Sequence, residues 1–505
     1  MADSIHRDAG TGFRSRGAAN KLPISLVVGA VLVGALSASG CRSNVANDAA
    51  AGAAAEPAAA TKTVANECRN GRSLYVAPGG LAENDGSVER PLDLATAISA
   101  KSPAQPCDTI WLRQGQYQGP FVSVVKGREG SPIVLRQYPG ERATLLGPAT
   151  PDPALMVTGE WTWFWGFEVT NLDTNRSSKE GSLWPSDLRR GTGLVSRARH
   201  VKFINLVVHD LARGFEVGVE SIGTEIYGSL VYNNGWEGPD GSAKGNGIET
   251  QNTSGERRIA DNVIFNQYSH GISAYTDNVN NVVLEGNILF NNGSLSRQGV
   301  GESRNVLIGG GQVSKNPALR HNVTYLGQTN VGYGSGCDKA TITSNYFAAP
   351  LVLVQCKPEM TSNEFYDLDN AGFANLPKDY PDNRYFPGRP TGTAVRVRPN
   401  QLEKGRANIA VFNWVRQPQI TLDLKTSGLV SGDRYEIRDA QNYFGKPIAV
   451  GTYDGKPVTI TVADMTIAAP VGNVPAAAKH TAPDFLVFVV IKQASPGTLP
   501  SGTTS

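Results

Sequence analysis

Short apolar strands recur along the middle of the chain, each introduced by a small residue or an amide side chain. The copies lie at residues 166–169, 205–208, 229–232, 262–265, 287–290, 322–325, 345–347 and 363–366. Their first positions are 18 to 39 residues apart, which indicates a unit of roughly 18 to 25 residues with insertions in some copies. Because stacked units of this length bury a continuous core, the pattern predicts a solenoid of β-strands.

A second pattern, a glycine followed by an apolar residue and then a polar one, occurs three times. The copies are Arg213-Gly214-Phe215-Glu216, Asn246-Gly247-Ile248-Glu249 and His270-Gly271-Ile272-Ser273. Side chains alternate between the faces of a strand, so the apolar member should point into the core and the polar member outward. Stacking then aligns three columns on one outer face: Arg213, Asn246 and His270; Glu216, Glu249 and Ser273; Gly218, Gln251 and Tyr275.

Long insertions fall in the turn just before this strand, at residues 171–191, 233–245 and 292–304. They should rise beside the columns as the walls of a cleft, a shape that suits an extended polymer. Trp184 and Trp236 lie in these insertions. Each is expected either to stack on a sugar ring or to plug its loop against the solenoid.

Several early segments resemble the opening coils of right-handed parallel β-helix proteins of the pectate-lyase-like superfamily. The segments are residues 74–79, 108–113, 115–117, 132–135 and 138–143. The resemblance covers roughly residues 70 to 370 and implies the fold but not the reaction, since the superfamily includes lyases, hydrolases, epimerases, esterases and non-catalytic proteins.

The expected fold class is therefore all-β: a right-handed parallel β-helix solenoid over residues 67–398 and a small antiparallel β-sandwich over 399–493. A short capping helix is expected near residues 92–100. The repeated asparagines are expected to be structural, with stacked amides that satisfy turn backbone groups. The sandwich resembles the accessory C-terminal domain of several carbohydrate-active enzymes, on the evidence of residues 432–441 and 444–447.

The amino terminus predicts export. Residues 1–40 combine a basic start with a 15-residue, largely apolar run at 22–36, which is too short to span a membrane comfortably. Ala38-Ser39-Gly40-Cys41 resembles the lipobox of bacterial lipoproteins, which implies lipidation of Cys41 and a membrane anchor; a soluble periplasmic or secreted protein is the alternative. Residues 41–66 read as an Ala-rich tether and 494–505 as a disordered tail.

Composition narrows the picture only a little. The 56 Gly and 30 Pro suit a turn-rich β protein, and a net charge of +2 gives no support for a nucleic-acid partner. Apart from Cys41, the four cysteines of an exported chain predict two disulfides, Cys68 with Cys107 and Cys337 with Cys356. A four-cysteine metal site is the competing idea, but no Cys-x-x-Cys spacing supports it.

The pair Glu216 and Glu249 is the main candidate for chemistry. Two neighbouring carboxylates repel, which would divide them into the acid and the nucleophile of a glycosidase. Alternatively they bind Ca²⁺ together with Asp240, Glu220 or Asp277, although no cofactor is required by the main hypothesis. A purely structural role, as ion pairs with Arg213 and Lys244, stays open.

His270 is a third catalytic candidate, as a general base or a group that orients a carboxylate. The expected substrate-binding residues are Arg213, Lys244, Asn246, Gln251, Tyr275, Trp184 and Trp236. We expect a polysaccharide-active enzyme, with a glycoside hydrolase slightly preferred. The alternatives are a uronate lyase, with Arg213, Lys244, His270 or Tyr275 as base, and a non-catalytic carbohydrate-binding protein. The sequence predicts no oligomeric state.

Overall fold

The computed structural model describes residue 68 and residues 71–493. The predicted export signal, the lipidation site Cys41, the tether and the tail at 494–505 lie outside the described residues.

Residues 73–387 wind into coils whose strands follow one another in a fixed order. In chain order the elements are β1 (Ser73–Val76), α1 (Leu94–Ala97), β2 (Thr109–Leu112), β3 (Gly115–Gln118), β4 (Phe121–Ser123), β5 (Ile133–Gln137), β6 (Ala143–Leu146), β7 (Leu155–Val157), β8 (Thr162–Trp165), β9 (Glu168–Thr170), β10 (Thr192–Ser196), β11 (Lys202–Ile204), β12 (Val207–His209), β13 (Arg213–Val217), β14 (Glu225–Tyr227), β15 (Leu230–Tyr232), β16 (Trp236–Glu237), β17 (Ala243–Lys244), β18 (Ile248–Asn252), β19 (Arg257–Ala260), β20 (Val263–Phe265), β21 (Ile272–Val279), β22 (Val282–Glu285), β23 (Ile288–Phe290), α2 (Gly299–Glu302), β24 (Arg304–Gly310), β25 (Ser314–Lys315), β26 (Ala318–Arg320), β27 (Val323–Tyr325), β28 (Gln328–Gly334), β29 (Cys337–Asp338), β30 (Thr341–Thr343), β31 (Tyr346–Ala348), β32 (Leu351–Leu353), β33 (Glu359–Thr361), β34 (Glu364–Asp367), α3 (Leu376–Asp379) and β35 (Arg384–Pro387).

These strands stack into three long parallel sheets. Sheet A has 11 strands, in the order β1, β2, β5, β8, β11, β14, β19, β22, β26, β30 and β33. Sheet B has 11 strands, in the order β3, β6, β9, β12, β15, β20, β23, β27, β31, β34 and β35. Sheet C has nine, in the order β32, β28, β24, β21, β18, β13, β10, β7 and β4. The predicted right-handed parallel β-helix is confirmed, and α1 provides the expected short helix before the early coils.

A ladder of asparagine side chains runs through the turn between sheets A and B. From Asn262 to Asn363 each Nδ2 donates to the Oδ1 of the next coil's asparagine, at 3.0 Å from Asn262 to Asn287 and 2.9 Å from Asn322 to Asn345. Asn205 differs, because its Nδ2 donates to Glu403 Oε2 at 2.8 Å. The Nδ2 atoms of the ladder also donate to buried backbone carbonyls, as Asn287 does to Ile259 at 2.8 Å. The amides therefore satisfy turn groups from coil to coil, as expected from the sequence.

The carboxyl-terminal strands form antiparallel sheets. They are β36 (Thr393–Pro399), β37 (Arg406–Asn413), β38 (Gln419–Leu422), β39 (Arg434–Asp439), β40 (Ala449–Thr452), β41 (Val458–Thr461) and β42 (Phe485–Lys492), with 3₁₀ turns at Lys425–Ser427 and Ala440–Asn442. A five-stranded sheet runs β36, β37, β42, β39, β40, and β38 pairs with β41.

This antiparallel unit covers the outer face of sheet B. Tyr232, Phe265 and Phe290 stack along sheet B at centroid distances of 5.1 and 5.0 Å, and Phe485 of β42 packs on Phe290 at 5.2 Å. All four side chains are buried. Aromatic and aliphatic burial at this contact holds the two parts of the chain together.

A buried charged network lies at the same contact. His209 bridges two carboxylates, with Nδ1 2.8 Å from Asp210 Oδ2 and Nε2 2.9 Å from Glu168 Oε1. Asp210 also pairs with Arg176 and accepts from the backbone N–H of Val471 at 2.9 Å. The network therefore ties sheet B to the segment that precedes β42.

Both predicted disulfides are present, Cys68 with Cys107 and Cys337 with Cys356. In the described part of the chain, none of the helices has the length and apolar character that crossing a membrane requires.

Candidate functional site

Glu216 and Glu249 occupy equivalent positions on adjacent strands of sheet C. Strands β13 and β18 pair in parallel, with Phe215 opposite Ile248 and Glu216 opposite Glu249. The two apolar residues are fully buried, while both glutamates are partly exposed. The predicted alternation is therefore confirmed, and the spacing of paired strands puts the two backbones about 4.8 Å apart.

Each glutamate has its own arginine partner. Arg197, just after β10, pairs with Glu216 and also approaches Glu220 at 3.2 Å. Arg213 Nε donates to Glu249 Oε2 at 2.8 Å. The guanidinium groups offset the mutual repulsion of the carboxylates on which the acid and nucleophile hypothesis rested.

Two tryptophans enclose Arg213 but only one of them is accessible. The guanidinium carbon lies 3.9 Å from the ring centroid of Trp184 and 5.3 Å from that of Trp236. The Arg213 side chain is only 4 % exposed. Arg213 is therefore a support beneath Trp184, and we correct its expected role as a direct substrate ligand.

The exposures of the tryptophans separate their roles. Trp184 is 59 % exposed and can offer its other face to a sugar ring. Trp236 is 0 % exposed and packs with Leu188 and Ala212 beneath the loop. The sugar-stacking alternative for Trp236 is wrong because no surface of the ring is available. Trp236 instead packs its loop against the solenoid, which was the other alternative.

A depression of about 390 Å³ opens over the glutamates. Its polar and aromatic lining consists of Trp184, Arg197, Glu216, Glu220, Glu249, Thr250, Gln251 and Tyr275. Gln251 Nε2 donates to the backbone oxygen of Tyr275 at 3.3 Å, and Tyr275 is 40 % exposed. The structure thus brings together five residues singled out from the sequence: Trp184, Glu216, Glu249, Gln251 and Tyr275.

His270 stands apart from this depression. Its Nδ1 accepts the backbone N–H of Arg304 at 3.1 Å, so the neutral ring carries its proton on Nε2. Burial, reinforced by the Arg304 charge, lowers the pKa of His270 to about 4. A neutral imidazole whose acceptor nitrogen is already used is poorly arranged to remove a proton from a substrate.

Three further predicted residues have local partners. Asn246 Oδ1 accepts the backbone N–H of His270 at 3.1 Å, and its Nδ2 lies 3.5 Å from Glu249 Oε2. Lys244 pairs across the β16–β17 hairpin with Trp236, outside the lining of the depression. Asp240 is in the exposed turn of that hairpin, where it accepts the N–H of Ser242 at 3.0 Å.

The calcium hypothesis gains no ligand cluster. Within the described ranges, no group of three or more His, Cys, Asp or Glu side chains is placed to hold a metal ion. Asp240 in particular does not join Glu216 and Glu249. Calcium binding therefore stays an untested prediction.

Sequence reasoning missed Arg197, and it considered Glu220 only as a possible Ca²⁺ ligand. Ser196 pairs with Val217, and Val217 with Thr250, so Arg197 lies at the start of the column formed by Gly218, Gln251 and Tyr275. Extending the alignment of equivalent strands by one strand toward the amino terminus, to β10, would have found Arg197. Glu220 lies in the turn after the strand, where periodicity gives no signal.

A family model described as "Pel9A-like, right handed beta helix region" matches residues 74–348, more than half of the chain. The chain belongs to this Pel9A-like β-helix family. The predicted resemblance to pectate-lyase-like β-helix proteins is thus confirmed.

Individual relatives of the chain are distant or match over short segments. The chain is 33 % identical over 91 residues to the uncharacterized protein YwoF of Bacillus subtilis (strain 168), which is 18 % of this chain and 19 % of that protein. It is 45 % identical over 53 residues to a pectate disaccharide-lyase of Dickeya chrysanthemi, 10 % of this chain and 7 % of that protein. The chain thus spans less than a fifth of either curated relative. A crystal structure of pectate lyase Pel9A covers 58 % of this chain and 74 % of its own, at a TM-score of 0.44 and 20 % identity.

Proposed function

We propose that the protein is a polysaccharide-active enzyme that cleaves a uronate polymer by β-elimination on the outer face of sheet C. The observation that carries the proposal is the shared depression, in which the guanidinium of Arg197, the exposed ring of Trp184 and the hydroxyl-bearing Tyr275 converge beside an open face. The family and the short match to a pectate disaccharide-lyase also support a lyase over the hydrolase preferred from the sequence.

β-Elimination on a uronate requires two functional groups from the protein. A cation must stabilise the charge that develops on the carboxylate, and a base must remove the proton next to it. We assign the first to Arg197, whose planar donors suit a carboxylate and whose side chain is 36 % exposed. Arg213 serves instead to hold Trp184 and Glu249.

We assign proton removal to Tyr275. Among the bases considered from the sequence, Arg213 is buried in an ion pair, Lys244 is outside the depression and His270 has its acceptor nitrogen occupied. Tyr275 is the one of the four that lines the depression and is exposed. As the phenolate, the Tyr275 oxygen takes the proton from the carbon next to the carboxylate. The electron pair of that C–H bond forms a carbon–carbon double bond as the bond to the glycosidic oxygen breaks, and the departing oxygen takes a proton back from the Tyr275 hydroxyl.

A glycoside hydrolase is the second candidate, because Glu216 and Glu249 are in register. The roughly 4.8 Å spacing of paired strands is near the carboxylate separation of retaining glycosidases, about 5 to 5.5 Å. In that reaction the Glu249→Gln variant would lose cleavage.

One digest separates these candidates. The full chain is incubated with pectate, other uronate polymers and neutral polysaccharides, with calcium in one series and a chelator in another. We expect new reducing ends together with the ultraviolet absorbance of an unsaturated uronate, on uronate polymers only. Reducing ends without that absorbance would identify a hydrolase. No product on any polymer, with measurable binding, would identify a carbohydrate-binding protein.

We also propose that the protein is exported and anchored through a lipid on Cys41. The two disulfides support an oxidising compartment outside the cytoplasm. Cys41→Ser should move the protein from the membrane fraction to the soluble fraction of the producing cell. Retention of the variant in membranes would contradict the anchor.

A further inference from the structure

The exposed aromatic side chains of the described residues are concentrated on one face. Across all the described residues, fourteen large hydrophobic side chains are exposed, and three of them are aromatic: Trp184 at 59 %, Tyr275 at 40 % and Tyr333 at 38 %. Trp184 lies on Arg213 of β13, while Tyr275 and Tyr333 belong to β21 and β28. All three therefore stand over sheet C, and Tyr333 lies beyond the lining of the depression.

Strand register places Tyr333 in line with the depression. Ala274 pairs with Ile308, so Tyr275 and Gly309 are neighbours one residue later, and Gly309 itself pairs with Tyr333. The column that begins at Arg197 thus continues through Gly218, Gln251, Tyr275 and Gly309 to Tyr333.

Gly309 lies between the two tyrosines on sheet C. Its φ is +136°, a conformation that side-chain-bearing residues rarely adopt, and a Cβ at this position would come within 2.3 to 2.9 Å of the Tyr333 backbone, so only glycine allows the two strands to approach this closely. The rings of Tyr275 and Tyr333 pack edge to face with centroids 6.1 Å apart. Tyr333 is thereby held in a fixed position while more than a third of its surface stays exposed.

A cation lies over one face of the same ring. The guanidinium carbon of Arg304 stands over Tyr333, 5.5 Å from the ring centroid. An aromatic face with a neighbouring guanidinium suits a sugar ring that carries a carboxylate, because the ring stacks and the carboxylate pairs with the cation.

We propose that Tyr333 and Arg304 form a second acidic-sugar subsite, toward the carboxyl-terminal end of the β-helix. The identity of the ligand as a uronate chain rests on the proposed function. Strand β13, which lies below Trp184, and strand β28, which carries Tyr333, are four strand spacings apart in sheet C. This is a distance of about 19 Å. A chain of several sugars lying along the solenoid axis occupies both the depression and this subsite, whereas a disaccharide occupies only the depression.

The test compares binding of short and long ligands by full-length variants. Affinities of a galacturonate disaccharide, longer oligogalacturonates and neutral xylo-oligosaccharides are measured by calorimetry in the Tyr275→Phe background, which is expected not to consume them. Tyr333→Ala should bind the longer oligogalacturonates about tenfold more weakly and the disaccharide unchanged. Tyr333→Phe, which keeps the ring, should bind like the parent.

Two further variants sharpen the assignment. Leu326→Ala is the matched control, because Leu326 has the same 38 % exposure and lies in the turn before β28. It should change nothing. Arg304→Gln should weaken binding of the longer acidic ligands only.

The outcomes separate the subsite from the proposed function. If the parent binds and the wild type cleaves oligogalacturonates, but Tyr333→Ala binds every length as the parent does, the subsite is wrong and the proposed function stands. If the parent binds no acidic glycan at all, both are wrong. An equal loss for the disaccharide and the longer ligands would place Tyr333 within the first site and would also overturn the subsite.

Discussion

At the residue scale, the partners of a side chain decide what it can do. Glu249 follows one Gly-Ile pair and His270 precedes the next. Glu249 faces the depression, whereas the acceptor nitrogen of His270 binds a backbone N–H. Arg197 pairs with Glu216 and Glu220 and Arg213 pairs with Glu249, yet Arg213 is nearly buried and Arg197 is not. Hydrogen-bond partners and exposure, rather than residue type, distinguish the members of each pair.

The Arg197→Gln variant tests whether Arg197 is the cation that stabilises the substrate carboxylate. Removing a charged donor to the substrate carboxylate should lower kcat/KM on a uronate polymer about 10- to 100-fold. Arg199→Gln, two residues along and exposed, is the matched control and should keep wild-type activity. Unchanged turnover in Arg197→Gln would show that its guanidinium does not touch the substrate.

The His270→Gln variant tests the conclusion that His270 is not the general base. Loss of a general base typically slows a reaction by about 10² to 10⁴, whereas this variant should stay within about tenfold of wild type because His270 is arranged as an acceptor for Arg304 N–H. Tyr275→Phe should show the large loss instead. The two kcat values on one polymer make the comparison, and the reverse ranking would exchange the two assignments.

At the element scale, strands are positioned by what stacks above and below them. The amide ladder fixes the turn between sheets A and B, and the paired register of β10, β13, β18 and β21 then sets which side chains form a column. The insertions before β10, β18 and β24 are carried on this regular frame. The site therefore depends on the regularity of coils that contribute no functional residue.

The Asn287→Ala variant tests how much the buried asparagine ladder contributes to the stability of the fold. Asn287 donates to Ile259 O and Asn322 Oδ1 and accepts from Asn262, so alanine would leave several buried polar groups unpaired. We expect the free energy of unfolding in urea to fall by about 2 to 3 kcal/mol. Asn316→Ala removes a similar amide contact, to Asn281 at 2.8 Å, from an exposed turn and should cost much less. Equal losses would mean that burial of the ladder adds nothing.

At the scale of the whole molecule, the antiparallel unit and the coils are joined by an apolar face and by the His209 network. Burial alone would lower the pKa of His209, but the carboxylates of Asp210 and Glu168 on either side outweigh it and raise the pKa above its usual range. Arg142 and Arg176 pair with the same carboxylates, and Tyr232 and Phe444 cover the ring. His209 therefore keeps its proton to a higher pH in the folded protein than an unperturbed imidazole does.

The raised pKa predicts a stability that falls with rising pH. Protonated His209 stabilises the fold fully below the unfolded pKa of about 6.5, and this contribution is lost as pH rises through the higher folded pKa. The difference in urea midpoint between wild type and His209→Gln should therefore shrink as pH rises above about 6.5. His321→Gln is the control: burial lowers the pKa of His321, so its contribution should be flat over the same range. A constant difference for His209→Gln would show that the residue is neutral in the fold.

Much of the fold and part of the site followed from the sequence. The repeat length, the alternation in Arg213–Val217 and Ile248–Asn252 and the cysteine positions predicted the coils, the outward glutamates and both disulfides, because these depend on local periodicity and chain distance. The buried state of Trp236 and the partners of His270 did not follow, because an insertion has no period and its packing depends on residues from other coils.

The sequence by itself determined the solenoid, its columns and the position of the long loops, since a strand's alternation and a coil's length are properties of the local chain. Only the tertiary structure decided which face of the solenoid stays exposed and forms the candidate site. The antiparallel unit covers sheet B, and folding of the loop at residues 171–191 places Trp184 over Arg213. Those contacts join residues far apart in the chain, and they turn one of several polar faces into the candidate site.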